Sequence, residues 1–310
     1  LPVPDCRSTP TLELTGRDVQ IIRSIHACRA LTTAQIHSLL FAAPDKNDSQ
    51  QAPASREIST RCQRRLQLLY HHGYLHREEQ PQRLAEGRKP LVYFLDGKGA
   101  RLLSELRRGQ EEEITWKKKD NRISPMFLEH LLATNDVRIA IQLAAEKHAL
   151  TLERWLEEKT LKSSAMKDYV LATWTDGGGR RQQRRLAVVP DGYFVLSHDA
   201  HRGHFFLEID LATEPGKRWA HKVRAYLAYI RSGLYQRRYQ TRSLRILTVT
   251  TGPKRLANLV RTSESVGGGA LFWFTKLGEV SAGAVLHRPI WRRAHENGLH
   301  ALLGNAMLQD

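Results

Sequence analysis

The sequence predicts a mixed α/β protein in two parts, and three observations carry that prediction. Between 15 and 107, apolar residues recur three times at helical spacing, and two short runs of β-forming residues then follow before a last helix. From 125 onward, helical spacings alternate with strand-like runs in the order αβββαβαβ. Between the two parts, Glu111 to Lys119 is Glu-rich, then Lys-rich, with little apolar content. It reads as a solvated linker or helix extension and places the boundary near 115–124.

At 310 residues the chain has room for two ordinary domains, and 41% hydrophobic with 26% charged residues suits a soluble globular protein. No apolar run approaches the roughly 18–20 residues that span a bilayer, so no membrane partner is expected. The opening residues lack the apolar core of a signal peptide. Cys6, Cys28 and Cys62 have no short spacing, which excludes a Cys-based zinc finger and a disulfide framework and fits a reducing cytoplasm. The formal net charge is +16, divided as +5 over 1–120 and +11 over 121–310. An excess spread through both folded parts favours nucleic acid as the partner.

Residues 1–14 read as a flexible lead. Thr15 and Asp18 have capping-box spacing ahead of Val19, Ile22 and Ile25. Leu31 to Leu40 reads as a second short helix, capped by Thr32 or Thr33. Residues 43–55 are rich in Pro, Ser and Gln and read as a loop. Ser59 opens a third helix to His72, with Ile58, Cys62, Leu66 and Leu69 as its apolar stripe and Arg61, Gln63, Arg64 and Arg65 pointing away from it. Gly73 ends it. Strands at Tyr74–His76 and Leu91–Leu95 flank the basic loop Gln80 to Lys89, and Asp96-Gly97 turns into a helix to about Arg107. Three helices followed by a two-stranded wing resemble a winged helix-turn-helix over 15–115. Such domains place the third helix in the major groove, which makes Arg61, Gln63, Arg64 and Arg65 candidates for base or phosphate contact. The bland alternative is a module that packs only on a neighbour.

Pro125 to His148 is a helix whose broad apolar face suits a sheet; Glu129 and Asp136 are among its polar points. A first strand lies in Leu150–Lys162. Ser163 to Gln183 reads as a loop, where Gly177-Gly178-Gly179 beside Arg180 and Arg181 is either a phosphate-binding lip or a plain basic loop. No Walker pattern accompanies it, so nucleotide hydrolysis is not supported. Two strands follow, dense in β-formers from Leu186 to Leu196 and from His204 to Asp210. Alternation puts Glu208 and Asp210 on one face and Ile209 on the other. The helix Lys217 to Arg231 carries Trp219, Val223, Leu227 and Ile230 on its apolar stripe, with Lys222 and Tyr226 one turn apart. A strand at Leu244–Thr251, a helix at Pro253–Ser263 and a strand at Ala270–Thr275 complete the core. The basic tail 281–310 is either an arm over DNA or a packed extension. His198, His201 and His204 sit at a hairpin tip without the Cys or acidic partners that zinc sites favour.

Asp191, Glu208 and Asp210 lie in an otherwise apolar strand pair. Buried carboxylates are costly unless paired or bound to a cation, and converging oxygen ligands suit Mg²⁺ or Mn²⁺. Pro190-Asp191, the hairpin and Glu208-x-Asp210 resemble the metal site of the PD-(D/E)xK nuclease superfamily, with its restriction-endonuclease-like αβββαβ core, here over 124–280. Lys222 to Tyr226 is similar to the Gln-x-x-x-Tyr helix motif of some of these nucleases. Together with the winged helix in front, the pattern resembles the replication-relaxation family of bacterial plasmids and integrative elements, over about 15–275.

The resemblance implies a cytoplasmic DNA-binding protein of a mobile element. It implies Mg²⁺ (or Mn²⁺) held by Asp191, Glu208 and Asp210 and a DNA endonuclease activity in replication, relaxation or transfer, with Tyr226 and Glu129 in support. It leaves room for a homodimer or for partner proteins of the element. The superfamily's lysine after Glu-x is Asp210 here, so Lys222 would have to supply its charge. The alternative is a non-catalytic replication or transcription regulator built on a degenerate nuclease core. No Gly-x-Ser-x-Gly elbow supports serine-hydrolase chemistry.

Overall fold

A computed structural model describes residues 11–42, 58–80, 89–108, 114–212 and 216–304. The lead before residue 11, the whole 43–55 loop, most of the Gln80–Lys89 loop, the acidic start of the linker, Glu214 and the last six residues of the tail lie outside them. The chain divides into two compact units, Leu1–Ile139 and Ala140–Asp310.

The N-terminal unit runs α1 (Gly16–Cys28), β1 (Ala30–Thr32), α2 (Thr33–Leu40), α3 (Thr60–His71), β2 (Leu75–Glu78), β3 (Val92–Leu95), α4 (Gly97–Leu106) and the first part of α5 (Pro125–Lys147). Local hydrogen bonds set the helix starts. Asp18 accepts from the Thr15 amide at 2.7 Å, and Thr15 Oγ1 accepts from the Asp18 amide at 3.4 Å. Thr32, rather than Thr33, caps α2, accepting from the Gln35 amide at 3.2 Å while Gln35 Oε1 accepts from the Thr32 amide at 2.9 Å. Ser59 caps α3 through the Cys62 amide at 3.3 Å.

The N-terminal sheet has a third strand beside the two expected ones, β1, in the order β1-β3-β2. Three residues are too few to show a period, so β1 is not legible as a strand in the sequence. Gly99 has a steric reason: a Cβ there would lie 2.3 Å from the Tyr74 carbonyl oxygen.

The division between units falls inside α5, later than the 115–124 boundary read from composition. Polar side chains explain the shift. Asn135 Nδ2 donates to the Cys28 and Ala30 carbonyls at 3.1 and 2.8 Å. Gln35 Nε2 donates to the Leu132 carbonyl and to Asp136 Oδ1 at 2.9 and 2.7 Å. Leu128 and Leu132 pack with Ala30, Val92 and Phe94. The first turns of α5 are thereby part of the N-terminal core.

The C-terminal unit continues with β4 (Thr151–Glu157), α6 (Glu158–Leu161), β5 (Asp168–Thr175), β6 (Arg181–Val188), β7 (Gly192–His198) and β8 (His201–Asp210). It then has α7 (Gly216–Arg231), α8 (Leu234–Tyr239), β9 (Arg245–Thr250), α9 (Pro253–Ser265), β10 (Phe272–Lys276) and β11 (Arg292–Arg293). The main sheet is mixed, in the order β11-β10-β9-β8-β7-β4. β4, β7 and β8 pair antiparallel; β9 joins β8, and β10 joins β9, in parallel. The expected succession of three antiparallel strands, helix and parallel strand is therefore present.

Ser163–Gln183 is not a loop. It contains β5 and the start of β6, an antiparallel pair separate from the main sheet. The tail is a packed extension: Trp291 is fully buried and β11 pairs with β10. On α7 Trp219, Ala220, Val223, Ala225, Tyr226 and Tyr229 are buried, and Leu227 and Ile230, half-buried, pack against the same core. Phe206, Tyr226, Tyr235 and Tyr239 pack edge-on or tilted beneath this helix. Such aromatic pairs contribute about 0.5–1.5 kcal/mol each beyond area burial.

Candidate functional site

The acidic residues gather where β7 begins and β8 ends. Pro190-Asp191 breaks the chain between β6 and β7, because proline lacks the amide a ladder needs. The β7–β8 ladder stops at Gly192 opposite Leu207. Asp191 extends it: its amide donates to the Leu207 carbonyl at 2.9 Å, and its Oδ2 accepts from the Ile209 amide at 2.8 Å. The carboxylate thus satisfies a buried donor beyond the last strand pair.

Glu208 and Asp210 share a face of β8, as alternation requires, but they take different partners. Glu208 is 1% exposed. Lys222 Nζ donates to its Oε2 at 2.7 Å, and Tyr226 donates to Oε1. Lys222 and Tyr226 therefore meet one carboxylate from successive turns of α7. Burial pushes the Glu208 carboxyl up to about 7; Lys222 pulls it down, and the nearby Asp191 charge raises it further. Burial and then Glu208 raise the Tyr226 phenol well above its ordinary value, so it stays a donor.

Asp210 turns to α9. Arg255 grips it with two parallel bonds, Nε to Oδ1 at 2.9 Å and Nη2 to Oδ2 at 2.6 Å. The Ala212 amide and Thr250 Oγ1 also donate to Oδ1, at 2.9 and 3.3 Å. Sequence reasoning missed Arg255. Its only signal was a basic pair, Lys254-Arg255, in the first turn of a helix that follows a core strand.

The three carboxylates expected as metal ligands each have a different protein partner here. A hard divalent cation needs several oxygens aimed at one point. Both Asp210 oxygens face Arg255, both Glu208 oxygens are engaged by α7, and Asp191 Oδ2 serves the backbone. Among the described residues, no group of three or more His, Cys, Asp or Glu could hold a metal ion. Glu129 is exposed on the part of α5 that belongs to the N-terminal unit. At the hairpin tip His204 Nδ1 pairs with the Tyr193 hydroxyl at 2.7 Å.

On α3, Arg61, Gln63 and Arg64 are exposed opposite buried Cys62, Leu66 and Leu69. Arg65 departs from that row. Its Nε donates to Asp18 Oδ1 at 2.9 Å, and Nη2 reaches Asp18 Oδ2 and the Glu13 carbonyl. Asp18 is wholly buried, so Arg65 is its countercharge. Arg180 and Arg181 are exposed at the β5–β6 turn. The glycine run there makes the turn: Asp176 Oδ1 accepts from the Gly178 and Arg180 amides at 3.0 Å each, and Gly179 has φ +77°. Those amides are committed to Asp176, which removes the phosphate-lip reading of the glycines.

The profile of the family described as replication-relaxation matches residues 22–244. No curated protein matches. Among solved structures, restriction endonuclease FokI aligns at 12% identity over 87% of this chain and 44% of that one, with a TM-score of 0.29. Restriction endonuclease FokI bound to DNA aligns at 11% identity over 87% and 45%, with a TM-score of 0.24. The chain spans less than half the length of these structures, and at such scores the likeness decides neither fold nor activity. No helix among the described residues is long and apolar enough to cross a membrane.

Proposed function

The chain belongs to the replication-relaxation family, and from that premise we propose that it is a DNA-binding protein of a plasmid or other mobile element, acting in replication, relaxation or transfer. The observation that carries this is α3: Arg61, Gln63 and Arg64 stand exposed on a helix whose other side is locked into the core. We read α1 to α3 with the β1-β3-β2 sheet as a winged helix that offers α3 to the major groove. The net charge of +16 supports an anionic partner. The test is a fluorescence anisotropy titration with duplex DNA across salt concentrations. Arg61→Ala with Arg64→Ala should weaken binding and reduce the slope of log K against log salt by about 1.8, since each phosphate contact contributes about 0.9. An unchanged slope removes α3 from the interface.

A second reading, Mg²⁺- or Mn²⁺-dependent DNA cleavage at Asp191, Glu208 and Lys222, is favoured by one observation. Lys222 places a cation 2.7 Å from Glu208 although Asp210 stands where the superfamily's lysine is expected. The Arg255–Asp210 pair weighs against it, because it withdraws one carboxylate. Conversion of supercoiled plasmid across Mg²⁺ and Mn²⁺ concentrations tests it. Cleavage lost in both Asp191→Ala and Glu208→Ala supports the enzyme. A wild type that binds DNA and cuts none leaves the non-catalytic regulator.

A further inference from the structure

The β5–β6 ribbon carries a surface that neither reading uses. Its strands pair from Asp168 opposite Val188 to Thr175 opposite Arg181, and no other strand joins them. One face is spoken for. Val170, Ala172 and Val188 are buried, and Asp168 is tied to Tyr229 and to Arg238. Trp174 lies beneath the Arg224 guanidinium, 4.6 Å from the ring centre.

The other face is open. Tyr169 is 43% exposed and Leu171 60% exposed, and Thr173, Thr175, Arg181, Gln183, Arg185 and Ala187 are exposed with them. Register sets Leu171 opposite Arg185, Thr173 opposite Gln183 and Thr175 opposite Arg181. The Arg185 guanidinium sits 4.2 Å above the Tyr169 ring, and Lys167 Nζ 5.2 Å from it. The ribbon's two acids are elsewhere: Asp168 on the buried face, and Asp176 inside the turn.

We propose that this outer face docks in the major groove of duplex DNA, with Arg181, Gln183 and Arg185 toward the groove and Tyr169 holding Arg185 in place. The proposal rests on the DNA-binding reading above and adds a second contact surface to α3. The major groove admits a two-stranded ribbon. Alternate residues on a strand lie about 6.6 Å apart on one face, so β6 presents Arg, Gln, Arg in a row. Arg and Gln are the side chains that pair with two atoms of guanine and adenine edges respectively, and Arg also neutralises phosphate. A second copy of this chain is a poor occupant, because this face carries Arg181 and Arg185 with no acid to answer them. Duplex RNA is also a poor one, since its major groove is deep and narrow.

The test uses the full chain and a fluorescein-labelled duplex of mixed sequence, titrated across salt. Arg181→Ala with Arg185→Ala should reduce the log–log slope by about 1.8. Arg231→Ala with Arg237→Ala removes the same charge from exposed positions off the ribbon and should leave the slope unchanged. Arg181→Lys with Arg185→Lys should keep the slope, which guards against a misfolded alanine variant. Wild type should bind duplex RNA more weakly, and the alanine pair should not alter that binding. Equal losses in the ribbon and control variants, an equal loss on RNA, or a changed mass by light scattering would each overturn the proposal. If the ribbon variant binds as wild type while the α3 variant does not, the ribbon falls and DNA binding stands. A wild type that binds no duplex removes both.

Discussion

Replacing Arg65 with methionine tests its role as the partner of buried Asp18. Methionine keeps much of the side chain's apolar length and removes only the guanidinium. Asp18 would keep its two bonds from Thr15, at 2.7 Å to the amide and 2.7 Å to Oγ1, and lose its countercharge. Breaking one side of a buried ion pair costs about 3–5 kcal/mol. A unit of roughly 140 residues has an unfolding entropy of about 0.3 kcal/mol per degree, so its melting should fall by about 10–17 °C. The loss has a pH signature. Burial alone would raise the Asp18 carboxyl, but Arg65 and Thr15 outweigh it and hold it below its ordinary 3.8. In wild type the pair's contribution is therefore present above pH 3.8 and lost as pH falls through the lower folded value. Without Arg65, burial dominates, so the variant should be weakest near neutrality and approach wild type under acid. Thermal melts of the full chain at pH 7 and pH 4.5, with hydrogen exchange on α1 and α3 peptides, read both effects. A loss under about 1 kcal/mol, or one independent of pH, would refute the reasoning.

Other outcomes follow from the same geometry. Asp191→Ala should cost about 1–3 kcal/mol by orphaning the Ile209 amide, whereas Asp191→Asn keeps an acceptor and should cost less; equal urea midpoints for the two would refute this. Glu208 sits at about 7 when folded against 4.5 when unfolded. Between those values the folded chain holds a proton the unfolded chain has lost, so stability is full below pH 4.5 and falls as pH rises through 7. Glu208→Gln should flatten that dependence in urea titrations, and an unchanged pH profile would count against it. Asp210→Ala leaves Arg255, only 17% exposed, without its carboxylate. Adding Arg255→Met should recover stability with a coupling of about 0.5–3 kcal/mol in a double-mutant cycle, and strict additivity would mean the pair contributes nothing.

The sequence by itself determined what depends on neighbours in the chain. The caps at Thr15, Thr32 and Ser59 each close a bond to a residue three positions on, so side-chain chemistry and spacing suffice. Strand alternation placed Glu208 and Asp210 on one face, and helical spacing brought Lys222 and Tyr226 to the same carboxylate. The β5–β6 ribbon had its own signal, Tyr-Val-Leu-Ala-Thr-Trp-Thr ahead of Asp176-Gly177, beside a Gly and Arg run that has the composition of a loop. Only the tertiary structure decided which charge meets which. Arg65 finds Asp18 across 47 positions, Arg255 finds Asp210 across 45, and Arg238 finds Asp168 across 70. No local period encodes such pairings, because each arises when two separately formed elements pack and a buried carboxylate must be neutralised by whichever cation the packing delivers. For that reason the sequence alone did not show that Arg65 answers Asp18 or that Arg255 answers Asp210.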